Sequence, residues 1–249
     1  MQYNCFEVSM KTKTLKTLDK VDIAINHYEN GFDSVLIVMP GWFMTKDSES
    51  FLEMCEVFGA STDVIGMDFR GHGKSGGFYT FTSRELVDVR AVVHYARKFY
   101  KKIYLIGFSL GASLALLYGS MSKFVDKIVA VSPASDFDKI ENHFWKKEAW
   151  IPTFRKMELK RWISIRPSIH IQRKIKPIMT VDKIKVPTLF VAGENDPTVY
   201  PWHTEKLYEK ATCKKDFVLF EDCNHAEDLF LAEKEKFVKI CGDWLFSDI

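Results

Sequence analysis

Short, almost wholly apolar runs recur along the chain with amphipathic stretches between them. Ser34-Val35-Leu36-Ile37-Val38-Met39 is closed by Pro40-Gly41, and similar runs cover 63–68, 103–107, 127–131, 186–193 and 216–220. Such runs suit strands buried on both faces, as in a parallel sheet. Between them the apolar positions fall at helical spacing. Phe51, Leu52, Cys55 and Phe58 mark one helix, and Leu86, Val89, Val92, Val93 and Ala96 mark a second, with Ser83 as the expected cap. Further helices are expected after Leu110, over about Trp202 to Lys210, and as one terminal amphipathic helix from Leu229 to Phe246. Strand and helix alternating in this way predict an α/β architecture with crossover connections.

Two stretches depart from the alternation. At the N-terminus, Tyr3 to Met10 and Val21 to Tyr28 alternate apolar with polar, and a Lys/Thr/Asp-rich segment lies between them. This predicts an antiparallel pair at a sheet edge, joined by a polar connection. From Ala134 to Asp182 no strand–helix repeat is found. A structureless loop of that length does not fit a compact domain, so the segment is expected to be an inserted helical cap. The expected layout is therefore a core of residues 1–133 and 183–249, with residues 134–182 as the cap.

Composition narrows the class. At 249 residues, 47% hydrophobic and 27% charged, the chain fits one α/β domain with an insertion. A formal charge of +2 gives no reason to expect nucleic acid. The charge is unevenly spread: residues 141–180 hold ten Lys or Arg against three Asp or Glu, net +7, which leaves −5 for the rest. Five scattered cysteines without CxxC spacing predict neither a disulfide framework nor a metal site. With no basic leader and no apolar run near the roughly 20 residues of a membrane span, a cytoplasmic protein is expected.

The candidate chemistry sits at strand ends. Gly107-Phe108-Ser109-Leu110-Gly111 joins an apolar run directly to a helical one, which places Ser109 on a tight, strained turn with its hydroxyl at the carboxyl edge of the sheet. Asp196 follows the run ending at Gly193, and His225 follows the run ending at Phe220. That edge is where open α/β sheets bind ligands. Asp136 and Asp138, past the run ending at Val131, are alternative acids. His72 lies in a glycine-rich loop and reads as structural; His27, His94, His143, His170 and His203 have no strand-end setting and read as surface or packing residues.

The chain order Ser, Asp, His, the Gly107–Gly111 elbow, Gly193-Glu194-Asn195-Asp196 with Asn224-His225, and the loop Asp68-Phe69-Arg70-Gly71-His72-Gly73-Lys74-Ser75 together resemble the α/β-hydrolases, in particular the capped branch of monoacylglycerol lipases, carboxylesterases and serine aminopeptidase-like proteins. The resemblance runs from about Asp33 to the C-terminus. It implies a mostly parallel eight-stranded sheet with helices on both faces and an inserted helical cap. It also implies Ser109 as nucleophile, His225 as base, Asp196 as its orienting acid, and the amides of Trp42 and Leu110 as oxyanion donors. Pro40 stands where the family usually has a histidine before the glycine of the oxyanion loop.

On this basis the expected activity is hydrolysis of carboxylic esters through an acyl-enzyme, without a metal or organic cofactor. Phe43, Trp145 and Trp150 are candidate substrate-binding residues. The expected partner is a small-molecule ester or thioester, and the basic cap suits an anionic substrate or carrier. A thioesterase acting on CoA or carrier-protein substrates and a non-catalytic binding protein with the same fold are the alternatives.

Overall fold

In the computed structural model residues 9–140, 164–168 and 174–247 are described. The parallel strands form where the apolar runs are continuous: β3 Ser34–Met39, β4 Asp63–Met67, β5 Lys102–Phe108, β6 Lys127–Val131, β7 Thr188–Gly193 and β8 Lys215–Phe220. With β1 Ser9–Lys16 and β2 Asp22–Glu29 they make one eight-stranded sheet in the order β1-β2-β4-β3-β5-β6-β7-β8. β1 pairs antiparallel with β2 and β2 antiparallel with β4, and all later pairings are parallel.

The helices are α1 Glu49–Phe58, α2 Glu85–Ala96, α3 Leu110–Met121, α4 Pro201–Lys210, α5 Asp228–Ala232 and α6 Lys234–Phe246. Because successive strand residues face opposite sides, β3 divides itself between two cores. Val35, Ile37 and Met39 join Val89, Val92 and Leu114 of α2 and α3 on one face. Leu36 and Val38 join Phe51 and Met54 of α1 and Phe237 and Cys241 of α6 on the other. Truncating a fully buried ring such as Phe237 to alanine costs about 3–5 kcal/mol.

Three sequence expectations are corrected. The strand β1 covers Ser9–Lys16, so Lys11 to Lys16, read as part of the polar connection, are strand; residues 3–8 of the expected strand lie outside the described residues. β1 is an edge strand, where lysines are favoured because they discourage further pairing. Lys11 and Lys13 reach Glu29, and Lys16 reaches Asp22, all on β2. Secondly, Ser83 does not cap α2, whose N-cap position is Arg84. The buried carboxylate of Glu85 holds that end instead, accepting the Thr80 amide at 2.6 Å and the Arg84 amide at 3.2 Å. Thirdly, the C-terminal helical stretch is two helices, broken at Glu233, whose ψ of 52° is not helical.

The expected cap, 134–182, lies largely outside the described residues. Its first stalk holds a short 3-10 turn at Phe137–Lys139, and its return stalk has two more at Pro177–Met179 and Val181–Lys183. Between them, residues 164–168 dock on the glycine-rich loop after β4. Arg166 N donates to Gly71 O at 2.8 Å, Tyr79 N to Arg166 O at 2.8 Å and Ser168 N to Tyr79 O at 2.7 Å. Gly71, at φ 70°, is required here: a Cβ would meet Tyr79 N at 2.2 Å and Arg166 O at 2.8 Å. Among the described residues no helix is long and apolar enough to cross a membrane.

Candidate active site

The turn between β5 and α3 is as sharp as the sequence demands. Ser109 adopts φ 51°, ψ −108°, a conformation that strains any residue with a Cβ. Its amide is tied to β6 by donation to Val131 O at 2.8 Å, and its carbonyl accepts Ser113 N at 3.0 Å, the opening bond of α3. The flanking glycines are steric necessities. A Cβ on Gly107 would lie 2.4 Å from the Gly111 carbonyl carbon, and one on Gly111 would lie 2.1 Å from Met39 O. Ser109 is half-buried, at the mouth of the turn rather than beneath it.

Two further strand ends converge on the same edge. The loops after β7 and β8 are zipped by Glu194 N donating to Phe220 O and Asn195 N to Cys223 O, each at 2.9 Å. His225 Nδ1 lies 2.6 Å from Asp196 Oδ2, while Asp196 Oδ1 accepts the amides of Thr198 at 2.9 Å and Val199 at 2.8 Å. A carboxylate oxygen accepts, so the arrangement suits the tautomer in which Nδ1 donates to Asp196 and Nε2 is left as the accepting nitrogen. Asp196 is buried, and the His225 side chain is 16% exposed. The residue after it, Ala226, donates its amide to Ser132 Oγ at 3.2 Å. Ser132 directly follows Val131, which holds the Ser109 amide, so neighbouring positions at the end of β6 anchor the serine turn and the histidine loop.

The alternative acids are engaged elsewhere. Asp136 and Asp138 both pair with Lys176 of the return stalk, at 2.9 and 2.7 Å.

The loop after β3 approaches the serine closely. A Cβ built on Gly41 would stand 3.4 Å from the Ser109 Cβ and 3.5 Å from Phe108 O, so Gly41 lies directly beside the elbow. Past that contact the loop folds on itself through Met44 N to Gly41 O at 3.2 Å and Thr45 N to Ser48 Oγ at 3.1 Å. Phe43 sits at φ 67° and half-buried. Trp42 heads an aromatic wall, its ring centroid 4.3 Å from Phe43, 5.8 Å from Tyr79 and 5.7 Å from Phe81. Leu110 is the first residue of α3, where amides have no partner within the helix and the dipole is positive. Trp145 and Trp150 lie outside the described residues.

A sequence model of the Alpha/beta hydrolase family matches residues 35–240. The chain belongs to that family. As a hydrolase-family chain it superposes on the esterase Pf2001 of Pyrococcus furiosus with a TM-score of 0.79 at 25% identity, over 96% of this chain and 91% of that one. It superposes on the esterase EaEST of Exiguobacterium antarcticum with a TM-score of 0.75 at 19% identity, over 95% and 100% of the two chains. In sequence it is 29% identical over 170 residues to the uncharacterized protein YqkD of Bacillus subtilis (strain 168). That match spans 66% of this chain and 56% of the relative, so the chain covers little more than half the relative's length.

Behind the site this member of the family buries charge that hydropathy alone does not reveal. Lys46 is fully buried, with Nζ 2.7 Å from Asp47 Oδ1 and 4.0 Å from Asp68 Oδ2. Burial raises the Asp68 carboxyl to about 6. Arg70 bridges two carboxylates, giving Nε and Nη2 to Asp88 and Nη1 and Nη2 to Asp19. The hydrogen bond from Arg70 holds Asp19 down at about 2, while burial pushes Asp88 up to about 7 against the pull of the same guanidinium. His72 donates Nδ1 to Arg70 O at 3.1 Å, and burial lowers it to about 4, which fits the structural role expected of it. Among the described residues no cluster of His, Cys, Asp or Glu could hold a metal ion. Two residues of this region were not singled out from sequence. Neither Ser132 nor Lys46 lies in a motif of the sequence.

Proposed function

We propose that the protein is a serine hydrolase that cleaves carboxylic esters through an acyl-enzyme on Ser109. The observation that carries this reading is the 2.6 Å pairing of His225 Nδ1 with Asp196 at the sheet edge that also holds the strained Ser109. With the proton on Nδ1, Nε2 is the nitrogen able to take a proton from the Ser109 hydroxyl as its oxygen attacks the ester carbonyl. The resulting oxyanion would be held by the amides of Trp42 and Leu110, a contribution on the order of 3 kcal/mol per donor. Collapse of that intermediate expels the alcohol, protonated by His225, and leaves the acyl group on Ser109. Water, deprotonated by the same imidazole, then releases the acid and restores the serine. The aromatic wall of Trp42, Phe43, Tyr79 and Phe81 suits an apolar acyl or alcohol group. Scattered cysteines, of which Cys55, Cys213, Cys223 and Cys241 are free thiols, fit a reducing compartment, and a cytoplasmic setting is part of the proposal.

The test is a fluorophosphonate probe followed by a panel of p-nitrophenyl esters of increasing acyl length, with Ser109→Ala as control. Labelling and turnover that both disappear in the variant support the reading; a native protein that is neither labelled nor active overturns it. A second reading, hydrolysis of anionic thioesters, is favoured by the net charge of +7 over residues 141–180. It requires acyl-CoA turnover to exceed that of a neutral ester of the same acyl group and to fall as salt rises.

A further inference from the structure

We propose that Asp68 is a positioning residue for the oxyanion loop, its carboxylate clamping the Lys46 amide and so holding the Gly41–Trp42 backbone against Ser109. This inference rests on the esterase reading and deepens it. The loop from Pro40 to Lys46 leaves β3, passes the elbow at Gly41 and must return to α1 at Glu49. Its near end is fixed by the sheet. Its far end is fixed by Asp68, whose Oδ1 accepts Lys46 N at 2.7 Å and which is fully buried. With Pro40 in the position before the glycine, that residue brings no hydrogen-bonding side chain and no amide N–H to brace the loop.

The same carboxylate holds a second loop. Oδ2 accepts Lys74 N at 2.9 Å, so one side chain staples the oxyanion loop to the glycine-rich loop after β4. That second loop is itself a firm base. Ser75 Oγ donates to Asp68 O at 2.7 Å and accepts Ala24 N at 2.9 Å, and Gly76 N donates to Asp22 O at 2.7 Å. The guanidinium of Arg166 adds donations to Ser75 O and Gly77 O. Two amide donors converging on one side chain call for a group that accepts at both oxygens, which is what a carboxylate offers and an amide does not. Gly73 makes the room: a Cβ there would lie 2.3 Å from Asp68 Oδ2.

Burying a carboxylate beside a buried lysine is expensive compared with an apolar pair of similar volume. The expense is explained if the charge holds a backbone donor whose placement the reaction depends on, since a shift of about 1 Å in such a group lowers rates roughly 100-fold.

The experiment compares wild type with Asp68→Asn and Gly73→Ala, the second of which crowds the same carboxylate without changing its charge. Rates are expressed per active site titrated with fluorophosphonate, so that misfolded protein does not count. Both variants should lose on the order of 10- to 100-fold in kcat with KM within about twofold. Affinity for an aryl boronic acid, which forms a tetrahedral adduct on the serine, should fall in parallel with kcat. A folded variant with kcat per titrated site within twofold of wild type overturns the role of Asp68 while leaving the esterase reading intact. Should Asp68→Asn fail to fold, Gly73→Ala decides on the same criterion. A wild-type protein that turns over no ester and takes no probe overturns both proposals.

Discussion

Asp196 divides its two carboxylate oxygens: Oδ2 faces His225 Nδ1 at 2.6 Å, and Oδ1 is held by the amides of Thr198 and Val199. The backbone grip fixes the acid whether or not it is charged, so substitution tests the charge and its acceptor, not the fold. In Asp196→Asn the amide nitrogen can face the ring and drive the proton from Nδ1 to Nε2, where it blocks uptake from Ser109. The expected outcome is a kcat lower by roughly 1,000- to 10,000-fold with little change in KM or thermal midpoint, read by steady-state ester hydrolysis.

Gly193 controls how near the acid and base loops can approach. A Cβ there would meet Asn224 O at 2.0 Å and Cys223 O at 2.6 Å, both of them backbone atoms that cannot turn aside. Gly193→Ala should therefore separate Asp196 from His225, lowering kcat/KM by on the order of 100-fold. It should also cost about 1–3 kcal/mol of stability, measured as a shift in urea midpoint.

Arg70 is a buried cation with two unequal partners. Asp88 is fully buried, whereas the Asp19 side chain is 30% exposed. Asp88→Ala should lose about 3–5 kcal/mol, because it leaves a buried guanidinium short of a counter-charge. Asp19→Ala should lose no more than about 1 kcal/mol after allowance for solvent screening. Urea unfolding of the two variants beside wild type tests the ranking; equal losses would contradict it.

His72 supplies a pH signature. Its folded-state value of about 4 lies below the ordinary 6.5, so the unfolded chain binds the extra proton first as pH falls. The stability contributed by the neutral ring is complete above about pH 6.5 and is lost as pH drops towards 4, a change on the order of 3 kcal/mol. Asp68 and Asp88, both raised by burial, run in the opposite direction, so the test is differential. The stability of wild type minus that of His72→Gln should shrink between pH 7 and pH 4.

The parts visible in sequence are those governed by a local pattern. β3 was read to the residue because six consecutive positions, Ser34 to Met39, end at a proline–glycine pair. The serine turn was visible because two glycines and a strand–helix junction leave it no other geometry. The strand character of Lys11 to Lys16 is hidden because an edge strand needs no apolar face, and a Lys/Thr repeat looks like a connection. The hold of Asp68 on two loops was invisible for a different reason. It depends on Lys46 and Lys74, which are far apart in sequence, meeting at one carboxylate. The candidate residues Trp145 and Trp150 lie outside the described residues.

The backbone bonds joining Gly71 and Tyr79 to residues 166 and 168 have a mechanical consequence. A flap hinged only where it leaves and rejoins the sheet could swing away whole; residues 166 and 168 add an attachment between those two points. Swinging all of it would rupture three main-chain bonds, each worth about 1 kcal/mol net, besides the grip of Arg166. Residues 166 and 168 are thereby fastened to the glycine-rich loop after β4 and to Tyr79, so a load on that short stretch passes straight into the body of the sheet.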